Sequence, residues 1–156
     1  MTSLTLFALV HASILAADSD SYTEAHREAE RGKPMIVMVA ADWCSPCQAM
    51  KKTVIPEVKK RGLLKQVAFA VVNVDRQRSL ARRLIGGGPI PQLVMYRKTD
   101  DGWKRRKLVG RQSVKTVEKF IKEGVALAAK AEKEAEEEPS GQEIAGTPRI
   151  QPVSQR

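Results

Sequence analysis

Short apolar runs along the middle of the chain predict four strands. Met35–Ala40 is continuously apolar, as expected of a strand that is covered on both faces. Val67–Val74 is a second buried run and is rich in β-branched residues. Pro91–Arg97 predicts a third strand. A hairpin turn at Thr99–Gly102 then leads to a fourth strand, Trp103–Val109.

Segments with helical spacing separate these strands. Ser21–Glu24 fits a capping box, which predicts a helix running to about Arg31. Arg76–Ile85 is amphipathic, and a last helix begins after Ser113. Two more helices are predicted between the first two strands, one ending near Val54 and one over Pro56–Arg61. This order of elements predicts an α/β domain whose central mixed sheet is flanked by helices.

The first residues resemble a leader. Leu4–Ala17 is apolar apart from three residues and ends sharply at Asp18. Its length suits the apolar region of a secretory signal, and Ala16–Ala17 suits a cleavage zone, although the preceding residues lack Lys and Arg. We therefore expect a signal peptide at residues 1–17 and an exported, periplasmic or secreted protein. The alternative is a buried first strand in a cytoplasmic protein.

The last residues change in composition. Ala126–Glu138 is rich in Ala, Lys and Glu, which predicts a helix that extends into solvent. Pro139, Ser140 and Gly141 then end it, and few large apolar residues follow. These patterns divide the chain into a leader, a folded domain at 18–130 and a charged, disordered tail at 131–156.

The amino-acid composition excludes some classes of function for this protein. The 156 residues are 42% apolar, which allows one ordinary domain, and the net charge is +9. Because no apolar run reaches about 18 residues, we expect no stable insertion into a membrane. Only 4% of residues are aromatic and no helix-turn-helix or zinc-finger pattern is present, so we expect no nucleic-acid partner. The alternative is a basic binding module for an acidic protein, an anionic surface or nucleic acid.

The two cysteines carry the candidate chemistry. Cys44 and Cys47 form a C-x-x-C pair where a strand passes into a helix, and free backbone N–H groups there favour a thiolate at Cys44. One helical turn separates the two, so Cys47 can attack a mixed disulfide formed at Cys44. Three alternatives compete: a structural disulfide, two unlinked thiols, and a zinc half-site completed by His11 and His26. The strand–turn–helix setting favours redox chemistry.

Several motifs in this order resemble the thioredoxin superfamily. Asp42–Cys47, which follows the first strand, is similar to the family's W-C-x-P-C active site. Val72–Asp75 is similar to its second strand, and Gly88–Pro91 resembles its cis-proline loop. Gly110 stands where the family has a glycine after the last strand. The resemblance covers about Ser21–Val125 and implies a thioredoxin-like fold with about four to five strands.

One stretch of sequence resembles a particular branch of the superfamily. Cys47–Val58 is similar to thioredoxin-like proteins of bacterial envelopes, including those related to the C-terminal domain of the thiol:disulfide interchange protein DsbD. In these proteins a short helix breaks at a Pro-x-Val, here Pro56 and Val58.

The resemblance implies a role for each site residue. Cys44 would be the attacking thiol and Cys47 the resolving thiol of an enzyme that exchanges disulfides with proteins. Trp43, Ile90 and Pro91 would bind the substrate, with Pro91 in the cis form. The alternative for Pro91 is a trans proline at the start of a strand. The implied partners are disulfide-containing proteins and a redox partner protein. A monomer is expected, with no cofactor beyond the disulfide and no metal.

Two positions depart from the family pattern. Thioredoxins usually bury an Asp and a Lys where this chain has Met38 and Val71. Losing both charges together avoids leaving one of them buried alone. The absence of the Asp also removes the usual proton acceptor for the resolving thiol, so water or Asp42 is expected to take that proton. Asp42, Ser45 and Pro46 are the residues expected to tune the redox potential.

Overall fold

One mixed sheet forms the centre of the molecule. The computed structural model describes residues 22–137. Its strands are β1 (Met35–Ala40), β2 (Ala68–Asn73), β3 (Gln92–Thr99) and β4 (Gly102–Val109), in the spatial order β2-β1-β3-β4. β1 runs parallel to β2 and antiparallel to β3, and β3 pairs antiparallel with β4. The predicted mixed sheet is confirmed, with four strands among the described residues.

Helices lie on both faces of the sheet. β1 is buried along its whole length because alternate side chains enter two apolar clusters. Ile36, Met38 and Ala40 belong to the cluster that includes the helices after the cysteines and the last helix. The other cluster includes the first helix and the helix after β2. The helices are α1 (Tyr22–Glu30), α2 (Ser45–Ala49), α3 (Ile55–Lys60), α4 (Arg78–Ile85) and α5 (Val114–Glu137).

The region around Pro56 differs from the prediction of two separate helices. A π-helical turn, Met50–Val54, joins α2 to α3, so the helical path is continuous from residue 45 to residue 60. The Ile55 N–H donates to the Met50 carbonyl across the wider turn. Pro56 then lies in the first turn of α3, directly after the wider turn, so the helical path passes through this proline.

The predicted ends of the chain are only partly described. Residues 1–21 and 138–156 lie outside the described part, and with them the predicted signal peptide, the predicted capping residue Ser21 and most of the predicted tail. α5 continues to Glu137, in agreement with the helix predicted for Ala126–Glu138, whose Ala- and Glu-rich sequence favours helix. Within residues 22–137, no helix has both the length and the apolar character needed to cross a membrane.

The topology brings three chain segments to one end of the sheet. The parallel strands β1 and β2 end there, at Ala40 and Asn73. β3 runs the other way and begins there, with Gln92 opposite Val39. The segment that contains the cysteines, the segment after β2 and the proline loop therefore meet at this end.

Candidate active site

The two cysteines form a disulfide at the start of α2. Their Cα atoms are 5.2 Å apart. Cys44 has extended backbone dihedrals and is the N-cap residue, while Pro46 occupies the first turn of the helix. The Cys47 N–H donates to Cys44 Sγ at 3.3 Å, an interaction that favours negative charge on this sulfur. Both sulfurs are used in the bond, so the alternative of two unlinked thiols does not describe this structure.

The two cysteines differ in their access to solvent. Cys44 retains 5% of its surface and Cys47 none. Ser45 and Pro46, which lie between them, are exposed. The disulfide therefore lies at the molecular surface with only its Cys44 side open to an incoming group.

The proline loop lies directly against the disulfide. Cys44 Sγ is 3.8 Å from the Ile90 carbonyl oxygen, and the Ile90–Pro91 peptide bond is cis. Pro91 is buried and Ile90 is half-buried. The Gly110 N–H donates to the Pro91 carbonyl at 2.8 Å, which ties this loop to the end of β4. The structure thus brings Cys44, Ile90 and Pro91 together.

Gln92, which is not among the predicted site residues, supports the same loop. Its side chain is 1% exposed, and its Nε2 donates to the carbonyl oxygens of Pro89 at 3.0 Å and Gly87 at 3.4 Å. Its Oε1 has no hydrogen-bond partner in the described part of the chain. The available signal was a polar residue directly before the apolar run Leu93–Met95.

Trp43 forms an exposed wall beside the disulfide. It is 72% exposed, and its indole N–H donates to the Asp75 carboxylate at 2.9 Å. Asn73 holds the acceptor segment in place, because its Oδ1 accepts from the backbone N–H groups of Asp75 and Arg76. An apolar ring face is therefore presented to solvent in a fixed orientation.

Two cations surround the carboxylate that precedes Trp43. Asp42 Oδ2 lies 2.8 Å from an Arg76 guanidinium nitrogen, and Asp42 Oδ1 lies 4.0 Å from Lys51 Nζ. Asp42 and Arg76 are exposed and Lys51 is half-buried, so solvent screens these pairs. The Asp42–Arg76 contact joins residues 34 apart in the sequence, and no local pattern signals it.

The interior below the disulfide contains no charge. Met38 is fully buried and lies in register with Val71 on the neighbouring strand. Among the described residues, the only buried polar side chains are those of Asn73 and Gln92. A buried carboxylate that could take a proton from Cys47 is therefore absent from this part of the chain.

Metal binding receives no support within the described residues. No group of three or more His, Cys, Asp or Glu side chains there could hold a metal ion. His26 lies on α1, with its ring centroid 5.9 Å from the rings of both Tyr22 and Trp103. The zinc half-site considered for His26 and the cysteines is thus not assembled in this structure.

Comparisons with solved structures find the same fold in thioredoxins. A thioredoxin from Thermus thermophilus is 24% identical with a TM-score of 0.59, over 75% of this chain and 92% of that chain. Mitochondrial thioredoxin 3 from Saccharomyces cerevisiae, in its oxidised form, is 22% identical with a TM-score of 0.51, over 65% of this chain and 88% of that chain. A thioredoxin from Trichomonas vaginalis is 26% identical with a TM-score of 0.50, over 64% of this chain and 89% of that chain.

The family assignment comes from the sequence comparison. No curated protein matches the chain significantly. The family model described as Thioredoxin matches residues 14–123, which is more than half of the chain. The matched range includes the disulfide and the cis-proline loop, and the thioredoxin-like fold expected from the sequence is confirmed. The chain belongs to the thioredoxin family.

Proposed function

We propose that this protein is a thiol–disulfide oxidoreductase that exchanges disulfides with protein substrates through Cys44 and Cys47. The observation that carries the proposal is the disulfide itself, capping a helix and lying 3.8 Å from the Ile90 carbonyl oxygen. A structural disulfide in so short a loop would restrain the unfolded chain little.

The proposed reaction transfers two electrons. In the reducing direction, the Cys44 thiolate attacks one sulfur of a substrate disulfide, which forms a mixed disulfide and releases the first substrate thiolate. The Cys47 thiolate then attacks Cys44 Sγ, which releases the second substrate thiolate and forms the Cys44–Cys47 disulfide. A dithiol reductant, the proposed redox partner, returns the pair to its reduced form. The oxidising direction is the reverse sequence.

The proposed role of each site residue rests on where that residue lies relative to the disulfide. Cys44 is the attacking thiol because it is the more exposed cysteine and its sulfur accepts the Cys47 N–H. Cys47 is fully buried, which suits a thiol that reacts only with its neighbour. Trp43 and Ile90 flank the opening, where the bend at Pro91 offers backbone groups to an extended substrate. Ser45 and Pro46, exposed between the sulfurs, are placed to tune the potential.

The proton from Cys47 is proposed to pass to water or to Asp42. No buried carboxylate is available in the described chain, and Asp42 lies two residues before Cys44. We expect the Asp42→Asn variant to show a pH–rate profile for substrate reduction that is displaced from that of the wild type. An unchanged profile would assign the proton to water alone.

The cellular setting is also part of the proposal. The Pro-x-Val sequence after the cysteines, Pro56 and Val58, supports a relation to envelope proteins like the C-terminal domain of DsbD. Cleavage after residue 17 would export a monomeric domain with a charged tail. N-terminal sequencing of the protein purified from cell fractions tests this, since an intact Met1 in the cytoplasmic fraction would contradict export.

Insulin reduction with dithiothreitol tests the central activity. We expect the wild type to accelerate reduction and Cys44→Ser to abolish the acceleration, because the attacking thiol is lost. Cys47→Ser should instead accumulate a mixed disulfide that mass spectrometry detects. Lys107→Ala, on the exposed strand β4, is the control and should retain activity. Full activity in Cys44→Ser would refute the proposal.

A further inference from the structure

The segment between α4 and the proline loop has few side chains that could hold it in place. Gly86, Gly87 and Gly88 follow one another with φ values of 67°, 100° and 95°, a region that residues with a side chain rarely adopt. All three are exposed, and so is Pro89. Apolar packing therefore contributes little to fixing the path of the chain just before Ile90.

The side chain of Gln92 fixes this segment instead. Gln92 is the first residue of β3 and lies in register with Val39 of β1 and Val109 of β4, so its backbone is held between two strands. Its Nε2 donates to the Pro89 carbonyl at 3.0 Å and to the Gly87 carbonyl at 3.4 Å. Because carbonyl oxygens only accept, both N–H groups of the amide are used here. Within residues 22–137, no other side chain donates to these two carbonyls.

The Pro89 carbonyl belongs to the same peptide group as the Ile90 N–H. This peptide bond is trans, so the C=O and the N–H point in opposite directions. Since the carbonyl is directed at the buried amide of Gln92, the Ile90 N–H is directed away from it. That N–H has no hydrogen-bond partner in the described part of the chain. The carbonyl of the same residue lies 3.8 Å from Cys44 Sγ, which places the free donor beside the disulfide.

We propose that Gln92 is a positioning residue for the substrate: by holding the Pro89 carbonyl, it keeps the Ile90 N–H turned towards an extended peptide that approaches Cys44. A backbone carbonyl of the substrate would accept from this N–H. Gln92 itself contacts neither the substrate nor the sulfurs. The inference rests on the proposed function, and it adds that the site favours disulfides carried by an extended backbone over small disulfides without peptide groups.

The remaining polar atom of Gln92 argues against a purely structural role. Its Oε1 has no hydrogen-bond partner among the described residues, although the side chain is 1% exposed. A buried acceptor without a partner is unfavourable, and an apolar side chain of similar length avoids this cost. Gln92→Met should therefore fold about as well as the wild type, which urea denaturation measures.

Two substrates of different kinds test the positioning role. One is an extended peptide joined through a disulfide to a short second peptide, and the other is 2-hydroxyethyl disulfide, which has no peptide group. With Gln92→Met we expect KM for the peptide to rise about fivefold at unchanged kcat, as for the loss of one hydrogen bond. Turnover of 2-hydroxyethyl disulfide should be unchanged, because the Cys44 thiolate is intact. Equal losses on both substrates, or no change on either, would overturn the proposal.

Gln112→Met is the matched control. The side-chain amide of Gln112 also donates to two carbonyl oxygens, those of Val109 and Gly110, but in the segment after β4. This variant should keep the wild-type KM for both substrates. A rise in the peptide KM equal to that of Gln92→Met would overturn the proposal, because the effect would then come from a general loosening of this end of the sheet.

A trapped complex tests the backbone contact without turnover. In the Cys47→Ser variant, the Cys44 thiolate attacks the peptide sulfur of a peptide–thionitrobenzoate disulfide, releases thionitrobenzoate and stays joined to the peptide. NMR-detected hydrogen exchange should show the Ile90 N–H protected in this complex and the protection lost in Cys47→Ser/Gln92→Met. An Ile90 N–H that exchanges equally fast with and without the peptide would overturn the proposal. Absence of Cys44-dependent turnover in the wild type, with this protection present, would count against the proposed function and not against the role of Gln92.

Discussion

The two edges of the sheet are built from opposite kinds of residue. β2 has no charged residue, and every side chain in it is at least half-buried. β4 has four consecutive cations, Lys104–Lys107, all of them exposed. Ile55 and Lys59 of α3 line a groove together with Phe69 and Val71 of β2, whereas most residues of β4 are exposed. β4 thus shows the charged protection that free edges usually have, and β2 does not.

This difference shows where the fold tolerates charge. The parallel pair β1–β2 is covered by helices on both faces, so an ionised side chain there would lose its hydration. The charges near the site, those of Asp42, Lys51 and Arg76, lie in the segments beyond the strand ends. The disulfide consequently lies above an apolar interior, and charged groups approach it only from the surface.

The largest effect should come from placing a charge in the buried strand pair β1–β2. We expect Met38→Asp to lower the free energy of unfolding by about 3–5 kcal/mol, because a carboxylate there is buried without a partner. Urea denaturation measures the loss. The control on β4, Lys107→Glu, should change the free energy of unfolding by less than about 0.5 kcal/mol.

A second substitution that adds a positive charge beside Met38→Asp tests whether the loss comes from an unpaired charge. Val71 lies in register with Met38 and is half-buried, so a lysine there can reach both solvent and the new carboxylate. The double variant Met38→Asp/Val71→Lys should recover about 1 kcal/mol or more relative to additivity. Strict additivity of the two substitutions would show that these positions do not form a pair in this fold.

The features that the sequence predicts are those encoded locally. The buried strand β1 follows from the apolar run Met35–Ala40, and the cysteine positions follow from a turn and Pro46 at the start of a helix. The π-helical turn before Pro56 was missed because proline usually separates helices, and wider hydrogen bonding is not visible in a residue pattern.

The remaining site features depend on segments that are distant in the chain. Arg76 reaches Asp42, and the indole of Trp43 reaches Asp75, only after β2 has paired with β1. Gln92 is recognisable as a brace only when the loop before it is folded back over its side chain. Tertiary proximity, which spacing along one chain does not encode, determines these contacts.

A smaller effect is expected on the exposed edge. Arg106 of β4 contacts Glu123 at 3.0 Å, and its guanidinium carbon lies 5.7 Å from the centre of the Phe120 ring. Arg106→Ala should lower the free energy of unfolding by about 1 kcal/mol, since the ion pair with Glu123 is exposed to solvent and the guanidinium covers the buried ring of Phe120. Thermal unfolding measures it, with Lys104→Ala as the control. A loss as large as that of Met38→Asp would contradict the contrast between the two edges.

The smallest effect should come from the ion pair that joins the end of α3 to α5. Arg61, just after α3, contacts Glu118 at 3.0 Å, and Lys122 contacts the same carboxylate at 2.6 Å. The hydrogen bond from Lys122, followed by that from Arg61, lowers the pKa of Glu118 below its usual value. A carboxyl with a lowered folded-state pKa stabilises the fold fully above its unfolded-state pKa, and this stabilisation is lost as pH falls through the folded-state pKa.

Glu118→Gln should therefore lower the unfolding midpoint slightly at neutral pH, and the difference from the wild type should shrink in acid as Glu118 takes up a proton. Urea denaturation across this pH range measures it. Glu134→Gln is the matched control, because among residues 22–137 Glu134 pairs only with Lys130, within α5. A difference for Glu118→Gln that stays constant into acid would mean that packing, and not charge, accounts for the contribution of Glu118 to the contact between the end of α3 and α5.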